Sequence, residues 1–475
     1  MHRSLQSSYP LWVAVFFITA VFLLGGGARA DIQSLVILRP LAVLCMGFAL
    51  WGITKEQVAA VRTPLILGAL VPLIMVVQLI PLPPAIWTNL PGRELYAQTS
   101  LLVGIEQPWR PISLVPSRTW NSLFAWIVPI TVLLLVARLN REQRFALLPA
   151  LIGLGLMSGV LGLAQVIGAP DGPLYLYEIT NNASAVGLFA NRNHQAALLA
   201  CLFPMLAVYA SIDHSSTERV QLKSILCGSI ALFVLPLLLV TGSRGGLILG
   251  VIGLLAGGLL YRRPRTRPIK GKSRRHFDLR YIVVGVVIAL MAGVTVVLSR
   301  AQALERLLLK DETEELRLQL LEPIGQMIKT YFPIGTGFGT FPDVYKAHEP
   351  FDLLTVAYVN HAHNDLLEFI LEGGIAAAVV MLVGCALWAL GIARLRTGYG
   401  EQGRTSLFGR LGAALILIMG IASIVDYPLR VPSMSVVFVL ATMWMAFGVK
   451  SPIARRDEFE ASSDPALKPS TGMEF

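Results

Sequence analysis

The chain has 475 residues, 55% of them hydrophobic and 14% charged, with a formal net charge of +10 and a mean hydropathy of +0.66. Repeated apolar runs of about 18 to 22 residues on that background exclude a soluble enzyme with a membrane tail and indicate a polytopic helical membrane protein. The positive charge does not point to nucleic acid, because segment 262–280 alone holds nine Lys/Arg against one Asp, and such basicity in a membrane protein is a topology signal.

Taken in chain order, the apolar runs predict twelve spans, at 11–28, 34–53, 63–80, 118–137, 145–168, 194–211, 222–241, 245–261, 281–299, 372–393, 408–425 and 431–448. Each is long enough to cross about 30 Å of hydrocarbon. With a cytoplasmic N-terminus, segments 55–62, 138–144, 213–223, 262–280, 394–410 and the tail from 450 lie inside. Nearly every Lys/Arg cluster falls in them, as the positive-inside bias requires. One missed or false span would turn 262–280 outside, so charge checks the count. The first run ends Ala28-Arg29-Ala30-Asp31, which has the form of a signal-peptidase site. Chains with many spans usually open with an uncleaved signal anchor, and retention of the first helix is the expectation.

Two outer segments exceed ordinary loop length. Segment 81–117 carries Pro81, Pro83, Pro84, Pro91, Pro108, Pro111 and Pro116, too many for a long helix, and reads as an irregular cap. In 300–371, Leu304, Leu307, Leu308, Leu316, Leu320, Ile324 and Met327 recur at helical spacing beside Glu305, Arg306, Lys310, Asp311, Glu314 and Arg317, predicting an amphipathic helical subdomain on the outer membrane surface. The expected organisation is therefore spans 1 to 9 in 1–299, a periplasmic subdomain in 300–371, spans 10 to 12 in 372–448 and a disordered cytoplasmic tail in 449–475. Cys45, Cys201, Cys227 and Cys385 all lie in or beside apolar runs without metal-ligand spacing, so neither disulfides nor a structural zinc is expected.

The unusual polar groups converge on one side of this topology. Asn191-Arg192-Asn193-His194, Thr241-Gly242-Ser243-Arg244-Gly245 and Asp426-Tyr427-Pro428-Leu429-Arg430 all fall in outer turns, with His361-Ala362-His363-Asn364-Asp365-Leu366-Leu367-Glu368 on the same face. Arginines at the outer ends of spans run against the inside bias and need a reason. One is snorkelling or a helix-end ion pair, such as Arg430 with Asp426. The other is an anion site, since guanidinium groups grip phosphate oxygens bidentately and helix N-termini add oriented N–H donors. His361 and His363 form a lone HxH without a third well-spaced ligand, a weak metal pattern. They could also simply cap a helix, or carry acid–base chemistry. Asn364 or His363 would sit at the N-cap of a helix running to Gly373-Gly374, where the positive helix end favours neutral imidazole and Asp365 opposes it. Asp365 and Glu368, three apart, could orient a histidine. The run Gly335-Thr336-Gly337-Phe338-Gly339-Thr340 lacks a following Gly-Lys-Ser/Thr and reads as a tight turn rather than a phosphate loop.

In order, GLFANRNHQAALLA (187–200), TGSRGGLI (241–248), GTGFGTF (335–341), HAHNDLLEFILEGGI (361–375) and DYPLRVPS (426–433) resemble the O-antigen ligase and Wzy-type polymerase superfamily of bacterial inner-membrane glycosyltransferases, over residues 150–445. The resemblance implies an all-α, GT-C-like fold, a glycan donor on undecaprenyl diphosphate at the periplasmic face, and transfer to an acceptor hydroxyl on lipid A-core or another glycan. It implies no cofactor and no metal. Family positions fall on Arg192, Arg244 and His363 as catalytic groups. Arg430, His361, Asn193, Asn364, Asp365, Glu368 and Asp426 are the expected substrate-binding or supporting groups. Ligase and polymerase share this chemistry and are not separated by the motifs. A transporter or flippase of lipid-linked sugars, and a non-catalytic membrane component of an assembly complex, are the readings of other classes. Transporters commonly show internal repeats and midplane ionisable groups, and this chain shows neither pattern.

Overall fold

The computed structural model describes residues 8–212, 217–264, 317–354, 358–397 and 403–463. Seven of its helices are long and apolar enough to cross a membrane, and four shorter apolar helices accompany them. These match the expected spans except the ninth, 281–299, which lies outside the described residues, as do most of the basic loop and residues 300–316 of the amphipathic stretch. The chain is an all-α polytopic membrane protein.

Helices α1 (Tyr9–Leu24), α2 (Leu35–Trp51), the short α3 (Lys55–Ala60) and α4 (Arg62–Gln78) come first. Thr54 and Gln57 close a capping box on α3, which satisfies N–H groups the helix itself leaves unpaired. Ala14, Phe17, Ile18, Val21 and Phe22 of α1 are buried, and Ser433 donates its N–H and hydroxyl to Gly25 O. The first helix is thus part of the core. The Pro-rich cap follows as β1 (Pro81–Leu82), α5 (Pro84–Trp87), α6 (Glu94–Leu102) and β2 (Arg110–Pro111). The two strands pair antiparallel, Pro81 opposite Pro111 and Leu82 opposite Arg110. The cap is more regular than its proline content implies.

Helices α7 (Pro116–Ala125) and α8 (Ile127–Arg138) make one span interrupted at Trp126, and α9 (Arg141–Ile167), α10 (Arg192–Ala210), α11 (Thr217–Val240) and α12 (Arg244–Leu260) continue the bundle. In α10, 83% of the apolar stretch is buried, so α10 is the central helix. Its neighbour α12 packs against it through small residues. A Cβ on Gly246 would strike Ala196, one on Gly253 would strike the Ala200 carbonyl, and one on Gly257 would lie 3.1 Å from Phe203 O. Without side chains between them the two backbones approach closely, as small residues allow between membrane helices. The consequence for the site is that the N-termini of α10 and α12 stand side by side.

After the undescribed stretch come α13 (Leu321–Tyr331), α14 (Phe341–His348), α15 (Asp365–Thr397), α16 (Arg404–Val425), a 3-10 turn at Pro428–Arg430 and α17 (Pro432–Ser463). Leu320, Ile324, Met327 and Tyr331 bury the predicted apolar face of α13 against Phe341, Val344, Tyr345, Ala362 and Leu371, in a second small core. α17 runs on to Ser463, so the first part of the tail expected to be disordered is helical. Its alanines, arginines and glutamates are good helix formers.

α15 begins at Asp365, seven residues before the expected span, and breaks at Gly374 (φ 58°, ψ −146°). The break leaves carbonyls of the first half without helical partners, and the glycine run of 335–340 supplies them. Thr336 N–H donates to Leu371 O (3.1 Å) and Gly337 N–H to Glu372 O (2.9 Å). Gln78 Nε2 adds a bond to Glu372 O (2.8 Å), and the Ile375 N–H beyond the break donates to Pro333 O (2.8 Å). Gly335, Gly337 and Gly339 all have positive φ, a region glycine enters without strain. The expected tight turn is therefore also a clamp on a broken helix, consistent with the need to satisfy every backbone group at membrane depth.

Candidate functional site

The loops of 191–194, 241–244, 361–365 and 426–430 meet at one end of the bundle, as the charge-derived topology requires. Arg192 and Arg244 are the first residues of α10 and α12. Asn191 and Ser243 cap the two helices, accepting from Asn193 N–H (2.8 Å) and Gly246 N–H (2.9 Å). Asn193 joins the two ends, since its Oδ1 accepts from Ser243 Oγ (2.7 Å) while its Nδ2 donates to Asp426 Oδ2 (2.5 Å). The backbone N–H of Arg192 is held by Asn181 Oδ1 (3.0 Å). Both arginine side chains are half-buried.

Asp426 is the hub of the site. It is buried, and Asn191 Nδ2 (3.2 Å) shares its Oδ2 with Asn193. Its Oδ1 accepts from Tyr427 N–H (3.0 Å) and faces two imidazoles, His363 Nδ1 at 3.4 Å and His194 Nε2 at 3.8 Å. Arg317, from the start of the subdomain, reaches Oδ2 at 3.6 Å and donates to Val425 O (3.3 Å). Burial alone would raise the pKa of this carboxyl, but His363, Arg317 and His194 more than compensate and hold it below the ordinary carboxylate range. Asp426 is an anion at any physiological pH.

His363 has φ 50°, a left-handed conformation that costs a non-glycine residue about 1 to 2 kcal/mol. It sits two residues before the helix begins, and Asn364 is the N-cap, its Oδ1 accepting from Leu367 N–H (3.0 Å). The Asp365 N–H, one of the helix's unpaired donors, bonds to Asp426 O (3.3 Å). The turn thus carries the His363 ring onto Asp426. The His361 ring goes elsewhere: its Nδ1 lies 2.9 Å from Glu368 Oε1, and Glu368 Oε2 accepts from Ala362 N–H (2.7 Å). Tyr427 fills the space between, with its ring centroid 4.3 Å from that of His361 and 5.0 Å from those of His363 and His194.

Arg430 lies apart from Asp426 and pairs with three carboxylates on one face of α15. Its Nε is 3.1 Å from Asp365 Oδ1, and its Nη1 is 3.1 Å from Glu368 Oε1 and 3.0 Å from Glu372 Oε2. Asp365 Oδ2 also takes Ser423 Oγ and Leu429 N–H, each at 3.2 Å. Glu372 Oε1 accepts from Phe341 N–H (3.1 Å), which ties the N-terminus of α14 into the same network. Burial works against the guanidinium charge, but Glu368, Glu372 and Asp365 raise its pKa above the ordinary value. The expected Arg430–Asp426 pair is therefore replaced by a network in which Asp365 and Glu368 orient Arg430 and His361, while Asp426 attends His363.

Sequence reasoning passed over His194, Tyr427, Arg317 and Glu372. His194 and Tyr427 stood inside the motifs already singled out, and Arg317 stood on the charged face of the amphipathic stretch. Glu372 carried no signal beyond being an acid within an apolar helix. Among the described residues no group of three or more His, Cys, Asp or Glu side chains is placed to hold a metal ion, and all four cysteines are unpaired. Residues 229–382 match the family model described as O-antigen ligase, a stretch that contains Arg244, the glycine clamp and the histidine turn. The resemblance to the O-antigen ligase and polymerase superfamily thus rests on this match as well as on the motifs. No curated protein matches the chain.

Proposed function

We propose that this multi-pass protein is an O-antigen ligase-type glycosyltransferase of the bacterial inner membrane. It moves a glycan from undecaprenyl diphosphate to an acceptor hydroxyl, of lipid A-core or a similar glycan, at the periplasmic face, with both termini cytoplasmic. The observation that carries this reading is the joining of two arginine-headed helix N-termini, at Arg192 and Arg244, to the Asp426–His363 pair through Asn193.

The N-termini of α10 and α12 offer oriented N–H groups and the positive ends of two helix dipoles to an anion. Arg192 and Arg244 add bidentate donors suited to a diphosphate. His363 keeps its proton on Nδ1, facing Asp426, and leaves Nε2 to take the proton from the acceptor hydroxyl. The 3.4 Å separation closes to hydrogen-bond length with a small ring rotation, and such bonds are commonly long before substrate binds. The acceptor oxygen bonds to the anomeric carbon from the side opposite the diphosphate, and the carbon–oxygen bond to the diphosphate breaks with its electron pair going to phosphate. The product has inverted configuration. The arginines neutralise the charge that develops on the leaving group, and Asp426 stabilises the imidazolium formed at His363. Arg430, committed to three carboxylates, supports the site and does not bind the donor.

The test is release of undecaprenyl diphosphate by purified protein given a lipid-linked donor and an acceptor. A transporter or scaffold releases none. His363→Ala should lower turnover by about 10²- to 10⁴-fold, the usual contribution of a positioned general base, and Arg192→Ala with Arg244→Ala should abolish donor binding. Wild-type turnover in a folded His363→Ala protein would remove the base, and full donor affinity in the double variant would remove the anion site. A polymerase uses the same donor chemistry, and supplying lipid-linked repeat units or lipid A-core as sole acceptor separates the two.

A further inference from the structure

The Pro-rich cap buries several polar side chains: Arg93 is only 2% exposed and donates to Pro91 O (3.1 Å), Ile112 O (2.7 Å) and Gly335 O (3.0 Å). Ser100 is buried and accepts from Arg110 Nη2 (3.2 Å), Gln107 Nε2 donates to Ala97 O (2.8 Å), and Trp87 Nε1 donates to Pro108 O (2.8 Å). Segment 94–109 turns large apolar side chains outward, beside exposed Glu94, Gln98, Thr99 and Glu106. Leu95, Leu101, Leu102, Val103, Ile105 and Trp109 are all exposed, Leu102 to 88% and Trp109 to 65%. Isolated exposed leucines need no explanation, but six large apolar side chains within fifteen residues make a patch of the kind that marks an interaction surface.

What covers the patch follows from where it is fastened. β1 begins three residues after α4 and β2 ends five before α7, and the Ser113 N–H bonds to Gln78 O (2.9 Å) at the end of α4. Both flanking helices carry exposed apolar side chains of their own, Val76 and Val77 of α4 and Trp120 and Phe124 of α7, and Ile80 follows α4 directly. Apolar exposure thus runs from the two spans into the segment between them, as it would on a lipid-facing surface. A tryptophan such as Trp109 favours the boundary between headgroups and acyl chains.

We propose that segment 94–109 lies in the headgroup–acyl boundary of the leaflet at the site end of the bundle, with lipid as the occupant of its apolar face. Because Arg93 bonds Gly335 and a Cβ on Gly92 would strike the Tyr331 ring, the cap bears directly on the glycine clamp. A lipid-seated cap therefore sets the height of the broken helix, and of the histidine turn at its head, relative to the leaflet. The inference goes beyond the proposed transfer reaction, and its test needs no activity.

The test places an environment-sensitive nitrobenzoxadiazole label at Leu102→Cys, and separately at Ile105→Cys, in a Cys385→Ala background. Cys45, Cys201 and Cys227 are buried, and Cys385 is exposed. The labelled proteins are reconstituted in phosphatidylcholine/phosphatidylglycerol nanodiscs, whose two faces are both open to solutes, with a label at exposed Lys346→Cys as the water reference. Quenching by doxyl-labelled lipid several-fold stronger than at the reference, with several-fold weaker quenching by iodide, is expected at both cap positions. Iodide quenching equal to the reference would place the cap in water. Protection from both quenchers would place it against protein, a second copy or a partner, and either result overturns the proposal. Two independent positions keep one poorly folded variant from deciding the outcome.

Discussion

Replacing Arg430 by methionine separates its two possible roles, anion ligand and internal counter-ion. The guanidinium stands within 3.1 Å of carboxylate oxygens of Asp365, Glu368 and Glu372, and the glutamates are fully buried. Methionine fills much of the same volume but leaves three neighbouring carboxylates without their cation. Breaking one buried pair costs about 3 to 5 kcal/mol through the charge left behind, and here that charge is multiplied. At roughly 2 to 4 °C per kcal/mol, the melting midpoint should fall by on the order of 10 °C, read by thermal unfolding in detergent. Lysine should rescue little, because a single ammonium cannot reproduce the separate Nε and Nη1 contacts. Adding Glu372→Gln to Arg430→Met should recover part of the loss by removing one stranded charge. An unchanged midpoint would refute the network argument. A lost donor affinity at an unchanged midpoint would make Arg430 a ligand of the diphosphate.

Gly374→Ala forces a side chain into φ 58° and against Pro333 O and Ile334, so stability should fall by at least about 1 to 2 kcal/mol; a midpoint equal to wild type would mean that the break is not held. His194 is 2% exposed and, among the described residues, neither ring nitrogen has a hydrogen-bond partner, so His194→Phe, which keeps the ring volume and removes two buried polar atoms, should leave the midpoint level or raised. The same variant should lower turnover, since Asp426 loses one of the two imidazoles facing Oδ1; unchanged turnover would show that His194 is packing alone. For Asp426, whose folded pKa is depressed, the contribution to stability is complete above the ordinary carboxylate value of about 3.9. It is lost only as pH falls through the lower folded value. The difference in midpoint between wild type and Asp426→Asn should therefore not shrink as pH falls from about 8 to about 5, and a difference that shrinks across that window would contradict an ionised hub.

The bundle was legible because membrane helices need long apolar runs and because basic residues mark one side. That Arg192, Arg244, His363 and Asp426 share one end of the bundle was an expectation of the same count. The cap was legible to within one residue, Asn364 or His363, because a short polar side chain before an acidic first turn is a local signal, and the structure makes it Asn364. What escaped was every feature set by distant chain segments. Whether Arg430 faces Asp426, four residues away, or Glu372, fifty-eight residues away, depends on how the 3-10 turn at Pro428–Arg430 presents its side chain to α15. Local spacing favours the first, and packing delivers the second. The same holds for Gly335-Thr336-Gly337, whose turn geometry the glycines announce but whose partners, Leu371 and Glu372, they do not.

The break at Gly374 explains why the acidic groups of α15 all precede it, the only charges beyond it being Arg394 and Arg396 in its last turn. Beyond the break the helix is a plain span, only 11% of its apolar stretch being buried, and charge there would face lipid at high cost. Before the break, Asp365, Glu368 and Glu372 follow one another at spacings of three and four, so they share one helix face. That face meets Arg430 and His361. A straight helix would pass from this face directly into the span, carrying the orientation of the histidine turn with it. The kink separates the two halves, and the glycine clamp, helped by Gln78, holds the carbonyls at the break. The histidine turn can then be set by Asp426 and Tyr427, which belong to the α16–α17 connection, rather than by the tilt of α15 in the membrane. The histidine turn and the N-terminal ends of α10 and α12 thus belong to different elements, joined through Asn193 and Asp426.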